Sequence, residues 1–228
     1  MIRERKILGI IPARGQSKGV PRKNLSMLCD KPLIAWTIEA AKRSRYIDRL
    51  VLSSDDPEII SVARDFGCEA PFVRPAALAQ DATPGIEPVL HAIEQIPGYD
   101  YVVLLQPTSP LRTIEDIDGC IEQCVQSGAK ACVSVSEVEQ HPRWMYTLGG
   151  HDRLVPIVSD GKQFARRQDL PPVFLLNGAV YVAETAWLQE SHSFLGQEVS
   201  GYVMPPERSL DIDTLADLER CEKMMAGK

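Results

Sequence analysis

Hydrophobic and polar positions along the chain keep switching between two spacings. Lys6-Ile-Leu-Gly-Ile-Ile is a short apolar run that stops at Pro12, as a buried strand does. From Pro32 to Ser44, the residues Leu33, Ile34, Ile38 and Ala41 fall on one face of a helix. Arg49-Leu-Val-Leu-Ser-Ser predicts a second strand. The helix after it is punctuated by Asp56 as a cap, Pro57 in the first turn and Gly67 at the end. Ile59, Val62, Ala63 and Phe66 repeat inside it at helical spacing. Cys68 to Val73 predicts another strand, and a helix then runs to about Ile96 with Pro88 near its start. Tyr101-Val-Val-Leu-Leu-Gln106 has the strongest character of a buried strand. Thr113 and Asp116 form a capping-box pattern ahead of Ile117, Ile121 and Cys124, and Ala131 to Val138 returns to strand.

Strand and helix repeated in this order predict an α/β fold, with a mostly parallel central sheet covered by helices on both faces. Beyond about Glu139 the pattern breaks. Arg143 to Leu148 and Leu154 to Val158 predict short strands around Gly149-Gly150, in an inserted arm over about residues 139–170. The α/β pattern resumes with Phe174 to Val182 and Val199 to Met204, and closes on a helix from about Thr214 to Met225. No repeat or linker interrupts it, so the expectation is one domain with an excursion.

The chain has 228 residues, 44% hydrophobic and 25% charged, which fits a globular domain with a sizeable core. Apolar runs such as Val102 to Leu105 are far too short to cross a bilayer, and the first residues lack the apolar stretch of a signal peptide. The expected address is the cytoplasm, with no membrane partner. The six cysteines form no Cys-x-x-Cys pair, which argues against zinc; Cys120 and Cys124 sit on an apolar helix face as small hydrophobes. A net charge of −6 argues against a nucleic-acid partner. That total averages unlike regions. Pro12 to Asn24 holds four basic residues and no acid, whereas Glu207 to Glu222 holds six acids and two arginines.

The basic stretch follows the first strand, and in parallel sheets ligands collect at the carboxyl ends of strands. Gly15 and Gly19 let backbone amides approach a ligand, and Arg14 and Lys18 supply charge, so a phosphate chain fits. The stretch contains neither Gly-x-Gly-x-x-Gly nor the Lys-Ser/Thr of a P-loop. A solvated surface loop is the alternative. Asp211 and Asp213 flank Ile212, so on an extended segment both carboxylates face one side. Such a pair suits Mg²⁺, although Asp213 or Thr214 could equally cap the last helix.

Ala13-Arg-Gly-Gln-Ser-Lys-Gly-Val-Pro-Arg-Lys-Asn24 resembles the signature of the acylneuraminate cytidylyltransferases, the CMP-sialic acid synthetases. Four further segments agree in order: Arg74 to Asp81, Leu105-Gln-Pro-Thr-Ser-Pro-Leu-Arg112, Arg167 to Pro171 with Asn177-Gly-Ala-Val-Tyr181, and Ser209-Leu-Asp-Ile-Asp-Thr214. The Arg-Leu-Pro-Gly-Lys-Pro and Gly-Asp-Glu-Pro segments of the related Kdo enzymes are absent.

The resemblance implies a Rossmann-like nucleotidyltransferase fold with a β-rich dimerisation arm, and a homodimer. It implies that CTP and a nine-carbon 2-keto sugar acid, an N-acylneuraminate or related nonulosonic acid, give a CMP-sugar and pyrophosphate. Arg14, Ser17 and Lys18 match triphosphate positions, and Asn24 a position near ribose and phosphates. Arg74 and the Asp81 to Thr83 stretch match the segments that recognise cytosine. Gln106, Arg167, Asn177 and Tyr181 fall on the sugar side, and Asp211 with Asp213 would hold Mg²⁺. Arg14, Lys18 and Asp211 are the expected catalytic residues.

Two departures stand out. Leu175 replaces an arginine found in some sialic-acid-specific relatives, and Trp144 displaces a basic residue. Both suggest a more hydrophobic sugar, such as a diacetamido-dideoxy nonulosonic acid of the legionaminic or pseudaminic type. A nucleotidyltransferase for another sugar or nucleotide, or a noncatalytic nucleotide-sugar binder, is the alternative function. No histidine is singled out as a base.

Overall fold

The computed structural model describes residues 2, 4–159, 166 and 169–227. Among these residues, ten strands and six α-helices follow in chain order. They are β1 (Ile7–Pro12), β2 (Met27–Leu28), β3 (Lys31–Pro32), α1 (Leu33–Lys42), β4 (Arg49–Ser53), α2 (Pro57–Asp65), α3 (Glu87–Gln95), β5 (Tyr101–Leu104), α4 (Ile114–Ser127) and β6 (Ala131–Glu137). After these come β7 (Tyr146–Leu148), β8 (Leu154–Pro156), β9 (Phe174–Glu184), α5 (Thr185–Ser191), β10 (Val199–Val203) and α6 (Leu215–Ala226).

The central sheet has the order β10-β6-β9-β5-β1-β4. β1 pairs in parallel with β4 and β5, and β10 with β6; β9 runs antiparallel to both of its neighbours. The sheet is buried on both faces because its strands alternate between two apolar clusters. Ile7, Ile11, Leu50, Leu52, Val103 and Leu105 face Ile34 and Ile38 of α1, Ile59 of α2 and Ile117 and Ile121 of α4. Leu8, Ile10, Val51, Val102 and Leu104 face Val89, Leu90 and Ile93 of α3 and Leu188 of α5. A third cluster joins Leu28, Leu33, Leu111, Ile212 and Cys221, and seats α6 beside the β2–β3 hairpin.

The expected caps form. The Asp56 carboxylate accepts from the amides of Glu58 and Ile59, and Thr113 with Asp116 closes a reciprocal capping box at α4. Thr214 and Asp217 do the same for α6, which gives the capping role to Thr214 rather than Asp213. Cys68 to Val73 is not a strand: only Glu69 makes a bridge, to Val51. Pro71 and Pro75 withhold the amides that a longer ladder would need. β7 and β8 form the expected hairpin, with β8 ending at Pro156 rather than Val158. The excursion containing it leaves and re-enters the fold where the Val138 amide donates to the Val173 carbonyl, 3.0 Å away.

Candidate active site

The carboxyl ends of β1 and β5, with the segment from Arg74 to Pro88, open onto one cavity of about 460 Å³. The basic segment after β1 forms one wall. It is pinned at both ends: the Gly15 amide donates to Asp55 at 3.1 Å, and Arg22 donates to Asp56 and Glu58 at 2.8 and 2.6 Å. Buried Asn24 donates from Nδ2 to the Arg14 carbonyl at 3.0 Å, so it holds the loop closed on itself. A Cβ on Gly19 would lie 2.1 Å from the Asp213 carbonyl oxygen. Only glycine lets the basic segment touch the acidic one, which is why two segments 190 residues apart share this wall.

Arg14, Ser17, Lys18, Asn24, Arg74, Thr83, Gln106 and Asp213 all line the cavity. Arg74 is buried, not the surface arginine its residue type alone would suggest. Its Nε donates to Ser53 Oγ at 3.1 Å and its Nη2 to the Ser53 carbonyl, and burial pushes its pKa down to about 10. Arg14 and Lys18 converge on one carboxylate: Arg14 Nη1 lies 2.7 Å from Asp81 Oδ1, and Lys18 Nζ 3.1 Å from Oδ2. The Lys18 ammonium and then the Arg14 guanidinium hold the Asp81 carboxyl below its usual range.

Asp211 and Asp213 have unlike surroundings. Asp213 is exposed and pairs with Lys23 Nζ at 3.0 Å, while that ammonium also donates to the Ile212 carbonyl at 2.7 Å. Asp211 is half-buried, and its Oδ1 has no hydrogen-bond partner. Burial pushes the Asp211 pKa up, opposed by the nearby Thr108 hydroxyl and Lys23 and reinforced by Asp213. Among the described residues no three His, Cys, Asp or Glu side chains gather to hold a metal by themselves. An orphaned carboxylate oxygen with a second carboxylate two residues away nevertheless fits Mg²⁺, which takes one or two protein carboxylates and completes its shell with phosphate oxygens and water.

The sugar-side candidates divide. Gly178, at φ 72°, bends β9 so that a Cβ there would sit 3.6 Å from Gln106 Nε2 and 3.8 Å from Asp211 Oδ2. Gln106, Gly178 and Asp211 therefore form one cluster, and burial, reinforced by the Asp211 carboxylate, raises the Tyr181 pKa. Tyr181 packs edge-on against Phe194 at 5.5 Å. Asn177 is buried and committed: Oδ1 accepts from Ser134 Oγ at 2.6 Å and from the Ala179 amide, and Nδ2 donates to Ser209 Oγ at 2.9 Å. Its side chain sets the bend instead of lining the cavity. Arg167 lies outside the described residues.

Three residues escaped the sequence reading. Lys23 is the last base before Asn24, so charge alone could have found it. Arg112, at the end of the Leu105 to Arg112 segment, is buried and makes no ion pair among the described residues. It donates to the Gln106 and Ala179 carbonyls and to Thr37, and burial pushes its pKa down to about 9. It thereby ties β5, β9 and α1 together beneath Gln106. Arg208 makes a bidentate pair with buried Asp116 at 2.8 and 2.8 Å, anchoring the segment that presents Asp211 to the start of α4.

A cation-lined cavity above a mostly parallel sheet has close counterparts among known proteins. The cytidylyltransferase family profile matches residues 8–171. The chain belongs to the cytidylyltransferase family. It is 38% identical over 220 residues to the pseudaminic acid cytidylyltransferase of Campylobacter jejuni, covering 94% of each chain. It is 34% identical over 227 residues to the CMP-N,N'-diacetyllegionaminic acid synthase of Legionella pneumophila, covering 96% of each. The N-acylneuraminate cytidylyltransferase of Escherichia coli is 33% identical over 215 residues, 94% of this chain and 51% of that protein. Among solved structures, a CMP:2-keto-3-deoxy-manno-octonic acid synthetase complexed with CTP superposes with a TM-score of 0.74 at 17% identity, covering 97% of this chain and 99% of that one. That likeness speaks for the fold.

Proposed function

We propose that this cytidylyltransferase transfers CMP from CTP to the anomeric hydroxyl of a nonulosonic acid, releasing pyrophosphate. The observation that carries the proposal is the convergence of Arg14, Lys18 and buried Arg74 with the Asp211–Asp213 segment around one cavity. Arg14 and Lys18 receive the β- and γ-phosphates, where their charge meets that of the departing pyrophosphate. Ser17 and the loop amides add donors. Asn24 holds the loop in its binding shape, and Arg74 and the stretch to Thr83 form the cytosine end. Gln106 and Tyr181 face the sugar, and Asn177 positions them through the β9 bend; Arg167 is proposed as the fork for the sugar carboxylate.

The incoming hydroxyl oxygen forms the new bond to the α-phosphorus as its O–H bond breaks and the proton is released to solvent. The bond from that phosphorus to the bridging oxygen breaks, and its electrons leave with pyrophosphate. Asp211 and Asp213 would hold Mg²⁺, which when bound supplies positive charge against the α-phosphate. The chain itself contributes positioning: Gln106, Gly178 and Asp211 lie close enough to align sugar and α-phosphate. His91 is not assigned as the base, because it packs edge-on against Phe72 at 5.2 Å on the α3 side of the sheet.

For the sugar we infer a diacetamido-dideoxy nonulosonic acid. Leu175 and Trp144 present apolar surface where some sialic-acid-specific relatives carry charge, and the matches to the pseudaminic and legionaminic relatives cover 94% and 96% of those proteins. We also infer a homodimer in the cytoplasm, in which the arm covers a second copy. The test is pyrophosphate release from CTP and Mg²⁺ with a panel of nonulosonic acids. Pseudaminic or legionaminic acid should give the highest kcat/KM. A preference for N-acetylneuraminic acid would overturn the sugar assignment, and no release with any sugar would overturn the activity.

A further inference from the structure

The cavity mouth holds a contact that the reaction does not need. Asp81 puts one carboxylate oxygen on each of the two cations assigned to the phosphates, Arg14 at 2.7 Å and Lys18 at 3.1 Å. It does so from the opposite wall, on the segment between buried Arg74 and α3 that also supplies Leu78, Gln80 and Thr83 to the cavity. This segment is otherwise tied mainly to itself. Gln80 Nε2 donates to the Ala76 carbonyl at 2.7 Å, Thr83 Oγ1 to Ala77 at 3.2 Å and the Thr83 amide to Gln80 at 3.1 Å. Its backbone is fixed only at the ends, by the Arg74 amide on Ser54 and the Glu87 amide on Pro84. Among the described hydrogen bonds and ion pairs, those of Asp81 alone cross the cavity from residues 76–85.

The geometry points to Asp81 as a latch: in the free enzyme its carboxylate stands in for the triphosphate, and an incoming triphosphate must displace it and release the strap formed by residues 76–85. This inference rests on the nucleotide assignment above. Two exposed cations cannot give their shortest contacts to a carboxylate and to a phosphate chain at once. A polyanion carrying several charges wins, because it replaces two contacts with more. The trade is modest, since Asp81 is half exposed and exposed ion pairs contribute little. The strap also carries the cytosine end, so displacement couples phosphate capture to the wall that meets the base. A nucleoside without phosphates leaves the latch shut.

Asp81→Asn keeps the shape and removes the competing charge. With inorganic tripolyphosphate as probe, calorimetry on the full chain should show about threefold tighter binding in Asp81→Asn. Asp65→Asn, an equal charge loss on the exposed end of α2, should leave tripolyphosphate affinity as it was. Unchanged or weaker tripolyphosphate binding in Asp81→Asn would overturn the latch in favour of Asp81 orienting the two cations. A ligand-free measurement keeps this separate from the nucleotide assignment. Hydrogen exchange at amides 80–85 should be faster in Asp81→Asn than in wild type, and equal exchange would remove the latch even if CTP binds. Wild-type protein that binds neither CTP nor tripolyphosphate would remove the nucleotide assignment itself.

Discussion

At the residue scale the most informative atom is Asp211 Oδ1, buried with no partner. A carboxylate in that position destabilises the fold unless something cationic reaches it. Its pKa is raised, so the sign runs opposite to that of a salt-bridged acid. Below about pH 4, the ordinary aspartate range, the group is protonated in folded and unfolded chains and costs nothing. As pH rises through the elevated folded value, the cost grows to its full size. Asp211→Asn should therefore melt higher than wild type at neutral pH, by about 2–4 °C for about 1 kcal/mol, and lose that advantage in acid. Turnover should fall on the order of 10²-fold or more. Calorimetric scans at several pH values with a pyrophosphate assay check both. A variant that is active, or no more stable, would show that the carboxylate is already satisfied.

The elements are legible where local chemistry decides them. Asp56-Pro57 and Thr113-x-x-Asp116 carry their caps in the sequence because capping joins residues two or three apart. The direction of β9 is not legible, because its residues are apolar on both faces whichever way it runs. Its reversal depends on where the arm returns the chain, beside Val138. The segment after α2 failed because Pro71 and Pro75 outweigh its apolar content. The cavity wall was readable from the charge of residues 12–24, but the ion pairs from Asp81 join positions more than 60 apart and have no local signature. Asp56 links element and site, since its carboxylate caps α2 and also holds Arg22 beside Lys23 and Asn24. Burial would raise its pKa, but the amides and Arg22 outweigh it and hold it low. Its stabilisation is thus complete above the ordinary aspartate pKa and is lost as pH falls through the lowered folded value. Asp56→Ala should cost about 1 kcal/mol at neutral pH, with the gap to wild type closing in strong acid. Equal melting at neutral pH would show that the cap is idle.

Across the whole molecule, polar and apolar surfaces are set apart. The cavity edge gathers the charge, and the excursion gathers exposed apolar groups: Trp144, Met145, Tyr146, Leu148, Leu154, Val155 and Ile157, while Phe174 to Leu176 are also exposed at the start of β9. Leu148 and Leu154 are 72% and 66% exposed and face each other across the hairpin. A two-stranded hairpin is marginal on its own, and an apolar patch of this extent on a free surface invites association. The proposed homodimer would meet both needs, because a two-fold axis pairs the patch with itself. Replacing Leu148 and Leu154 together with aspartate places like charges opposite each other in the hairpin and on the patch. Sedimentation equilibrium should then find monomers where wild type gives dimers. The cavity proposed for the nucleotide is lined from the ends of β1 and β5 and the segment from Arg74 to Pro88, with no arm residue in its described lining, so CTP affinity should hold while turnover of the sugar falls. A wild-type monomer would overturn the dimer. A variant that turns over sugar at full rate as a monomer would show that each chain completes its own sugar site, and that Leu175 and Trp144 act within one subunit.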